Sequence, residues 1–163
     1  MEPAPYTKNS LSEGWQTMNS AEQSEIERQC RELVLAISHL SDNNDGVNSA
    51  SLFAEGATWF RAGKIYTGYD EILASYDDFS PSLVARHLIG TPLVTVLDSD
   101  HATSVTYYSA FVVDPGTTEP LFPLPFDGPF TMGEWHDKFV RTERGWLFSH
   151  RATHRMFQHG EHP

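Results

Sequence analysis

The N-terminal part of the chain distributes apolar residues with the period of an α-helix. Between residues 20 and 40 they recur mostly three or four positions apart, which puts them on one helical face. Ser20, followed three residues later by Gln23, predicts an N-cap with a capping box at the start of this helix. The cluster of Asp, Asn and Gly residues after Leu40 predicts its end. The apolar face comprises Ile26, Cys30, Leu33, Val34 and Ile37.

Shorter elements are predicted between residues 47 and 76. We expect short helices over residues 47–53 and 69–76, the second with acidic residues in its first turn, where the helix dipole favours them. A strand is expected over residues 57–61, and a turn with a short extended piece over residues 63–68.

Beyond residue 82 the apolar residues alternate with a period of two, which predicts strands. One long strand is expected over residues 85–97, with Pro92 marking a bulge or a sheet edge. Further strands are predicted over residues 102–113, 133–142 and 146–156. Helices followed by a meander of strands predict an α+β fold, in which a curved antiparallel sheet wraps around the N-terminal helices.

A length of 163 residues predicts a single domain. We assign it to residues 21–157, between a flexible N-terminal arm (1–20), for which Trp15 is a candidate anchor, and a tail (158–163). Residues 114–130 form a predicted loop with five prolines and an apolar rather than polar composition. Such a loop is typical of a lid or pocket wall, or of a contact between subunits; a plain surface loop is the third alternative.

The charge balance narrows the range of partners. The chain has 22 acidic and 11 basic residues, a net charge of −11, which argues against a nucleic-acid partner and against an anionic membrane surface. We find no signal peptide and no run of about 18 apolar residues, so we expect no membrane association and a cytoplasmic location. The single Cys30 excludes an internal disulfide and a cysteine-based metal site.

Two residues 45 positions apart are the leading candidates for chemistry. Asp42 closes the first predicted helix and His87 opens the long strand. In a pocket, a carboxylate beside an imidazole fixes its tautomer and raises its basicity, which makes the histidine a general base. The alternatives are that Asp42 is only a helix-end residue, that Asp45 takes its place, or that His87 is an ordinary strand histidine.

An ordered set of segments resembles the SnoaL-like branch of the nuclear transport factor two-like superfamily. The resemblance covers roughly residues 22–156 and implies a cone-shaped α+β barrel around an apolar pocket. The segments that carry it are residues 52–59, residues 63–72, Arg86-His87, residues 133–137 and residues 145–151.

The resemblance is to the branch of scytalone dehydratase and hexachlorocyclohexane dehydrochlorinase, and it implies a His–Asp dyad. The dyad positions fall on Asp42 and His87. The dehydrochlorinase pattern also places an arginine in the pocket, and that position matches Arg151. Ser41 stands where scytalone dehydratase has a pocket tyrosine, so the resemblance leaves the substrate open.

Strand alternation suggests which side chains line the pocket. Asp137 would face into the cone, as a second pocket acid or as a partner of Arg151, and Tyr107 is favoured over Tyr108 as the inward tyrosine. On the last strand, Arg151 would face inward and Phe148 outward. His150 and His154 do not suggest a metal site, because the helical spacing of zinc motifs does not apply to a strand. The predicted substrate-binding residues are Trp59, Tyr66, Tyr107, Trp135, Asp137 and Phe139.

The leading hypothesis is a lyase or isomerase of the dehydratase or cyclase type that needs no cofactor and no metal. It would act on a small, apolar, cyclic molecule such as a polyketide or steroid-like compound. His87 would be the base, Asp42 would orient it, and Arg151 or a tyrosine would stabilise the developing negative charge. The alternatives are a non-catalytic protein that binds small molecules in the same pocket, or an epoxide-hydrolase-like enzyme. The resemblance also implies a homo-oligomer, a dimer or trimer.

Overall fold

The computed structural model describes residues 18–160, so residues 1–17 of the predicted arm, with the candidate anchor Trp15, and residues 161–163 of the predicted tail lie outside the described residues. Three helices and seven strands are formed within these residues. In chain order they are α1 (Ser20–Asp42), α2 (Gly46–Ser51), β1 (Phe53–Arg61), β2 (Lys64–Thr67), α3 (Gly68–Ala74), β3 (Val84–Ile89), β4 (Leu93–Val96), β5 (His101–Val113), β6 (Thr131–Thr142) and β7 (Gly145–Gln158).

The N-cap of helix α1 is Asn19, one residue earlier than predicted. The Asn19 side chain accepts hydrogen bonds from the backbone N–H groups of Ala21 (3.0 Å) and Glu22 (2.9 Å), and Glu22 accepts one from the Asn19 N–H (3.1 Å). The prediction of Ser20 and Gln23 is therefore wrong. Both pairs fit the capping-box pattern, and the carboxylate of Glu22 gains additionally from the helix dipole. None of the helices in residues 18–160 has the length and apolarity to cross a bilayer.

The strands form one curved sheet that does not close, in the order β2-β1-β7-β6-β5-β3, with β4 also paired to β5. Helix α1 packs against β3, β4 and β7. The predicted α+β fold with N-terminal helices against a curved sheet is confirmed. One pair, β1 with β7, is parallel. Sequence alternation does not reveal this, because no hairpin connects these two strands.

The long strand predicted over residues 85–97 is two strands in the structure. Strand β3 pairs with residues 108–113 of β5, and β4 pairs with residues 102–105 of the same strand. The break falls at residues 90–92, where Pro92 has no N–H to donate to the ladder. The irregularity predicted at Pro92 is thus present, at the edge of the sheet.

A β-bulge in β7 changes which of its side chains point into the core. Lys138 pairs with His150 while Phe139 pairs with Phe148, so Ser149 has no partner on β6. Because of this extra residue, Phe148 faces the same interior as Arg151 and is fully buried. The prediction that Phe148 faces outward is wrong for this reason.

Candidate active site

A cavity lies between α1, the loops near residues 79–83 and the inner face of the sheet. Its volume is about 110 Å³. This is of the order of the roughly 150 Å³ cavity that holds a benzene molecule, so the space suits a single ring. Aromatic side chains make up much of the wall, which includes Trp59, Phe79, Tyr108, Phe130 and Trp135.

Asp42 and His87 meet at the wall of this cavity. Asp42 is the last residue of α1, and His87 lies in the middle of β3. The His87 Nδ1 lies 2.6 Å from Asp42 Oδ1, and the His87 backbone N–H donates to Asp42 Oδ2 at 2.9 Å. Arg86 also donates to the Asp42 carbonyl oxygen at 2.9 Å, which ties the end of the helix to the strand. Both carboxylate oxygens are therefore used to hold one histidine.

This arrangement determines the histidine tautomer. Because a carboxylate accepts hydrogen bonds, Nδ1 carries the proton and Nε2 is left with its lone pair. The imidazole packs beside Trp135 and Tyr108, with ring centroids 5.5 Å and 6.1 Å away. The His87 side chain is 20% exposed and that of Asp42 is 12% exposed. A partly enclosed imidazole whose Nε2 has no hydrogen-bond partner among residues 18–160 is chemically suited to accept a proton.

Arg151 and Asp137 form a buried ion pair beneath the cavity, and each is 2% exposed. The Arg151 Nη2 donates to Asp137 Oδ2 at 3.4 Å, while Nε and Oδ1 lie 3.1 Å apart without hydrogen-bond geometry. Burial raises the pKa of Asp137 to about 6, although the positive charge of Arg151 opposes the shift. Of the two roles predicted for Asp137, the structure supports the partner of Arg151.

The guanidinium of Arg151 also reaches the cavity wall. Its Cζ lies 4.3 Å from the ring centroid of Trp135 and 5.0 Å from that of Phe148. Cation–π contacts of this kind stabilise a desolvated guanidinium. Burial lowers the pKa of Arg151. Its charge is therefore fixed in position between Asp137 and the aromatic wall.

The predicted substrate-binding residues divide into two groups. Trp59 and Trp135 line the cavity, as do His87 and Arg151. The cavity wall does not include Tyr66, Asp137 or Phe139. Tyr66 donates its hydroxyl proton to Asp78 (2.6 Å), and Phe139 packs in the core against Phe148.

Tyr107 is 68% exposed on the outer face of β5, so the prediction that it faces the cavity is wrong. Tyr108 takes this place, is 4% exposed, and stacks on Trp135 with centroids 4.6 Å apart. Burial raises the pKa of Tyr108, which keeps its hydroxyl protonated at neutral pH. The inward face of β5 otherwise carries small residues, Ala102, Ser104, Thr106 and Ala110. Alternation alone therefore did not distinguish it from the outward face.

The loop over residues 114–130 contributes to the cavity at its C-terminal end. Phe130 is buried and lines the wall, which supports the pocket-wall alternative for this residue. Leu121 and Phe122 at the middle of the loop are exposed by 92% and 67%. Sequence reasoning also missed Arg61 and Arg155, which line the same cavity.

No group of three or more metal-ligating side chains occurs within residues 18–160. The two histidines with the i, i+4 spacing make other contacts. His150 Nδ1 lies 2.7 Å from the Thr58 hydroxyl, and His154 packs against His136 with ring centroids 4.7 Å apart.

Residues 22–152 match the SnoaL-like domain family, so the chain belongs to that family. No curated protein matches the chain significantly.

Several solved structures share the fold. An NTF2-like protein with a cystatin-like fold from Novosphingobium aromaticivorans is 22% identical, with 83% of this chain and 85% of that chain covered and a TM-score of 0.68. A candidate scytalone dehydratase from the same organism is 16% identical (89% and 93% covered, TM-score 0.73). ActVI-ORFA from Streptomyces coelicolor is also 16% identical (82% and 98% covered, TM-score 0.64). At these identities the similarity establishes the NTF2-like fold but not the activity, which has to be argued from the site.

Proposed function

We propose that the protein is a lyase or isomerase that needs no cofactor, in which His87 removes a proton from a small, largely apolar, cyclic substrate. The observation that carries this proposal is the 2.6 Å contact between His87 Nδ1 and Asp42 Oδ1 at the wall of an aromatic cavity. Membership of the SnoaL-like family, which includes cofactor-independent isomerases and dehydratases, agrees with it.

In this mechanism Nε2 of His87 accepts the proton and becomes the second N–H of an imidazolium. Asp42 orients the ring before transfer and stabilises the positive charge afterwards. The negative charge that develops on the substrate needs a donor across the cavity. Arg151 and the Tyr108 hydroxyl are the candidates, since both groups belong to residues of the cavity wall. Loss of a leaving group then gives elimination, and return of the proton at another carbon gives isomerisation.

A substrate screen tests the proposal. Small cyclic ketones, with and without a hydroxyl group β to the carbonyl, are incubated with the protein and followed by absorbance for the conjugated product. Wild type is compared with His87→Ala and with His101→Ala. His101 is a matched control because it pairs with Asp98 at 3.0 Å on the exposed surface, away from the cavity. Turnover that survives His87→Ala, or that is lost equally in both variants, would contradict the proposal.

The rival function is a non-catalytic protein that binds small molecules in the same cavity. It predicts that a ligand binds wild type and His87→Ala equally and that no compound is converted by either. An epoxide hydrolase is less well supported. That reaction needs a carboxylate free to activate water, and Asp42 is committed to His87 while Asp137 is committed to Arg151 and Ser104.

The prediction of a homo-oligomer is supported by an apolar patch on the outer face of the sheet. We propose that a second copy of the chain covers it, and light scattering coupled to size exclusion measures the mass directly. The exposed residues of the patch are Leu88, Tyr107, Met132, Met156 and Phe157.

A cytoplasmic location stays a prediction.

A further inference from the structure

Arg61 is held in an aromatic cage at the cavity wall. It is the last residue of β1, where strand alternation puts it on the same inward face as Trp59. Its Cζ lies 4.8 Å, 5.2 Å and 4.3 Å from the ring centroids of Trp59, Tyr76 and Phe79. These contacts fix the plane of the guanidinium and remove much of it from water.

The hydrogen-bonding capacity of this guanidinium is mostly unused by the described chain. Within residues 18–160 it makes one side-chain hydrogen bond, to the Ser75 hydroxyl at 3.4 Å, and no carboxylate lies within 4.0 Å of it. Asp78 is the acid whose charge acts on Arg61, and it already accepts from Tyr66 (2.6 Å) and Lys64 (3.2 Å).

A second arginine lines the same cavity. Arg155 of β7 is exposed, so the cavity reaches the surface there, and it forms no ion pair with any described residue. Burial lowers the pKa of Arg61, and the positive charge of Arg155 adds to this shift. In a chain with twice as many acidic as basic residues, 22 against 11, two unpaired arginines in one cavity are unusual. Enclosing the charge of Arg61 among aromatic rings is costly unless an anion completes the site.

We propose that Arg61 is an oxyanion-binding residue and that the ligand of this cavity is a small cyclic molecule bearing a carboxylate. The guanidinium fork matches a carboxylate in a bidentate geometry, and the aromatic cage strengthens the interaction by excluding water. A carboxylate fits the limited volume of about 110 Å³ better than the larger phosphate group does. This inference rests on the proposed function only in assigning the substrate to the same cavity.

The test measures binding rather than turnover. Calorimetric titration compares benzoate with benzamide, a neutral molecule of nearly the same shape, and with phenyl phosphate. Wild-type protein should bind benzoate at least about tenfold more tightly than benzamide, the preference expected from charge-assisted hydrogen bonds. Phenyl phosphate should bind more weakly than benzoate. Binding of phenyl phosphate in preference to benzoate would overturn the assignment to a carboxylate.

The preference for benzoate should depend on Arg61. Arg61→Gln should abolish it, and Arg61→Lys, which keeps the charge without the planar fork, should retain only part of it. Arg141→Gln is the matched control, because Arg141 is exposed on β6 and outside the cavity. Thermal unfolding followed by circular dichroism establishes that each variant is folded. Failure of benzoate to bind wild type at millimolar concentration, or an unchanged preference in folded Arg61→Lys and Arg61→Gln, would overturn the proposal.

Failure of this inference can be distinguished from failure of the proposed function. If benzoate is preferred by both wild type and His87→Ala but no compound is ever converted, the anion site stands and the catalytic proposal fails. If neutral cyclic ketones are converted equally by wild type and Arg61→Gln and benzoate is not preferred, the catalytic proposal stands and the anion site fails.

Discussion

Replacing Arg151 with methionine should destabilise the protein in a pH-dependent way. The substitution roughly preserves side-chain volume but leaves Asp137, 2% exposed, without its cation. Breaking one half of a buried ion pair costs about 3–5 kcal/mol, because the remaining charge is uncompensated. We therefore expect the free energy of unfolding to fall by about 3 kcal/mol near pH 8.

The pH dependence follows from the pKa of Asp137. Burial raises it from 3.8 to about 6 in the native protein, so the folded state binds more protons than the unfolded state in this range. The contribution of Asp137 to stability therefore decreases as pH rises from about 4 to about 6. In the Arg151→Met variant the pKa of Asp137 rises further, so its contribution to the free energy of unfolding continues to decrease at higher pH. The cost of Arg151→Met should consequently be small near pH 5, where Asp137 is mostly protonated in both proteins.

Urea unfolding at the two pH values measures this cost. The matched control is Arg28→Met, which removes exposed ion pairs with Glu25 and Glu32 on α1 and should change the free energy of unfolding little at either pH. The double variant Arg151→Met/Asp137→Leu should recover most of the lost stability, since it removes the unpaired charge as well. Equal destabilisation at both pH values, or a double variant no more stable than Arg151→Met, would refute the reasoning.

Two further predictions concern buried positions. Cys30 is fully buried and its pKa is raised to about 12, so a thiol reagent near pH 8 should label it only after unfolding; prompt labelling of native protein would contradict this. A Cβ on Gly133 would lie 2.0 Å from the His154 carbonyl oxygen across a β-bulge, so Gly133→Ala should lower the free energy of unfolding by about 1–3 kcal/mol. Gly90→Ala, with no contact under 3.5 Å, should cost less in the same urea titration.

The proximity of Asp42 and His87 could be anticipated from the family resemblance rather than from the element boundaries, since His87 lies in the middle of β3 and not at its start. Helix periodicity located the end of α1 to within two residues, and the resemblance to the SnoaL-like family placed the dyad at these positions. The backbone hydrogen bond from His87 to Asp42 could not be anticipated, since it depends on how α1 lies across β3.

Other parts of the site depended on features that alternation does not encode. The bulge at Ser149 reverses the orientation of Phe148 relative to simple alternation. Both faces of β5 carry residues compatible with burial, so alternation does not distinguish Tyr108 from Tyr107 as the inward tyrosine. The sequence pattern does not mark Arg61, because an arginine at the end of a strand is most often exposed. Only the three-dimensional packing of aromatic residues around it reveals the cage.

Deuterium exchange tests the role of His87 most directly. Small cyclic ketones are incubated with the protein in D₂O, and incorporation of deuterium at the carbon next to the carbonyl is followed by NMR, which detects proton abstraction even where no product accumulates. The account predicts exchange by wild type and His101→Ala, and a loss of at least about 100-fold in His87→Ala, the contribution typical of a general base. Exchange that proceeds equally in His87→Ala, or that wild-type protein does not catalyse for any ketone tested, would contradict the account.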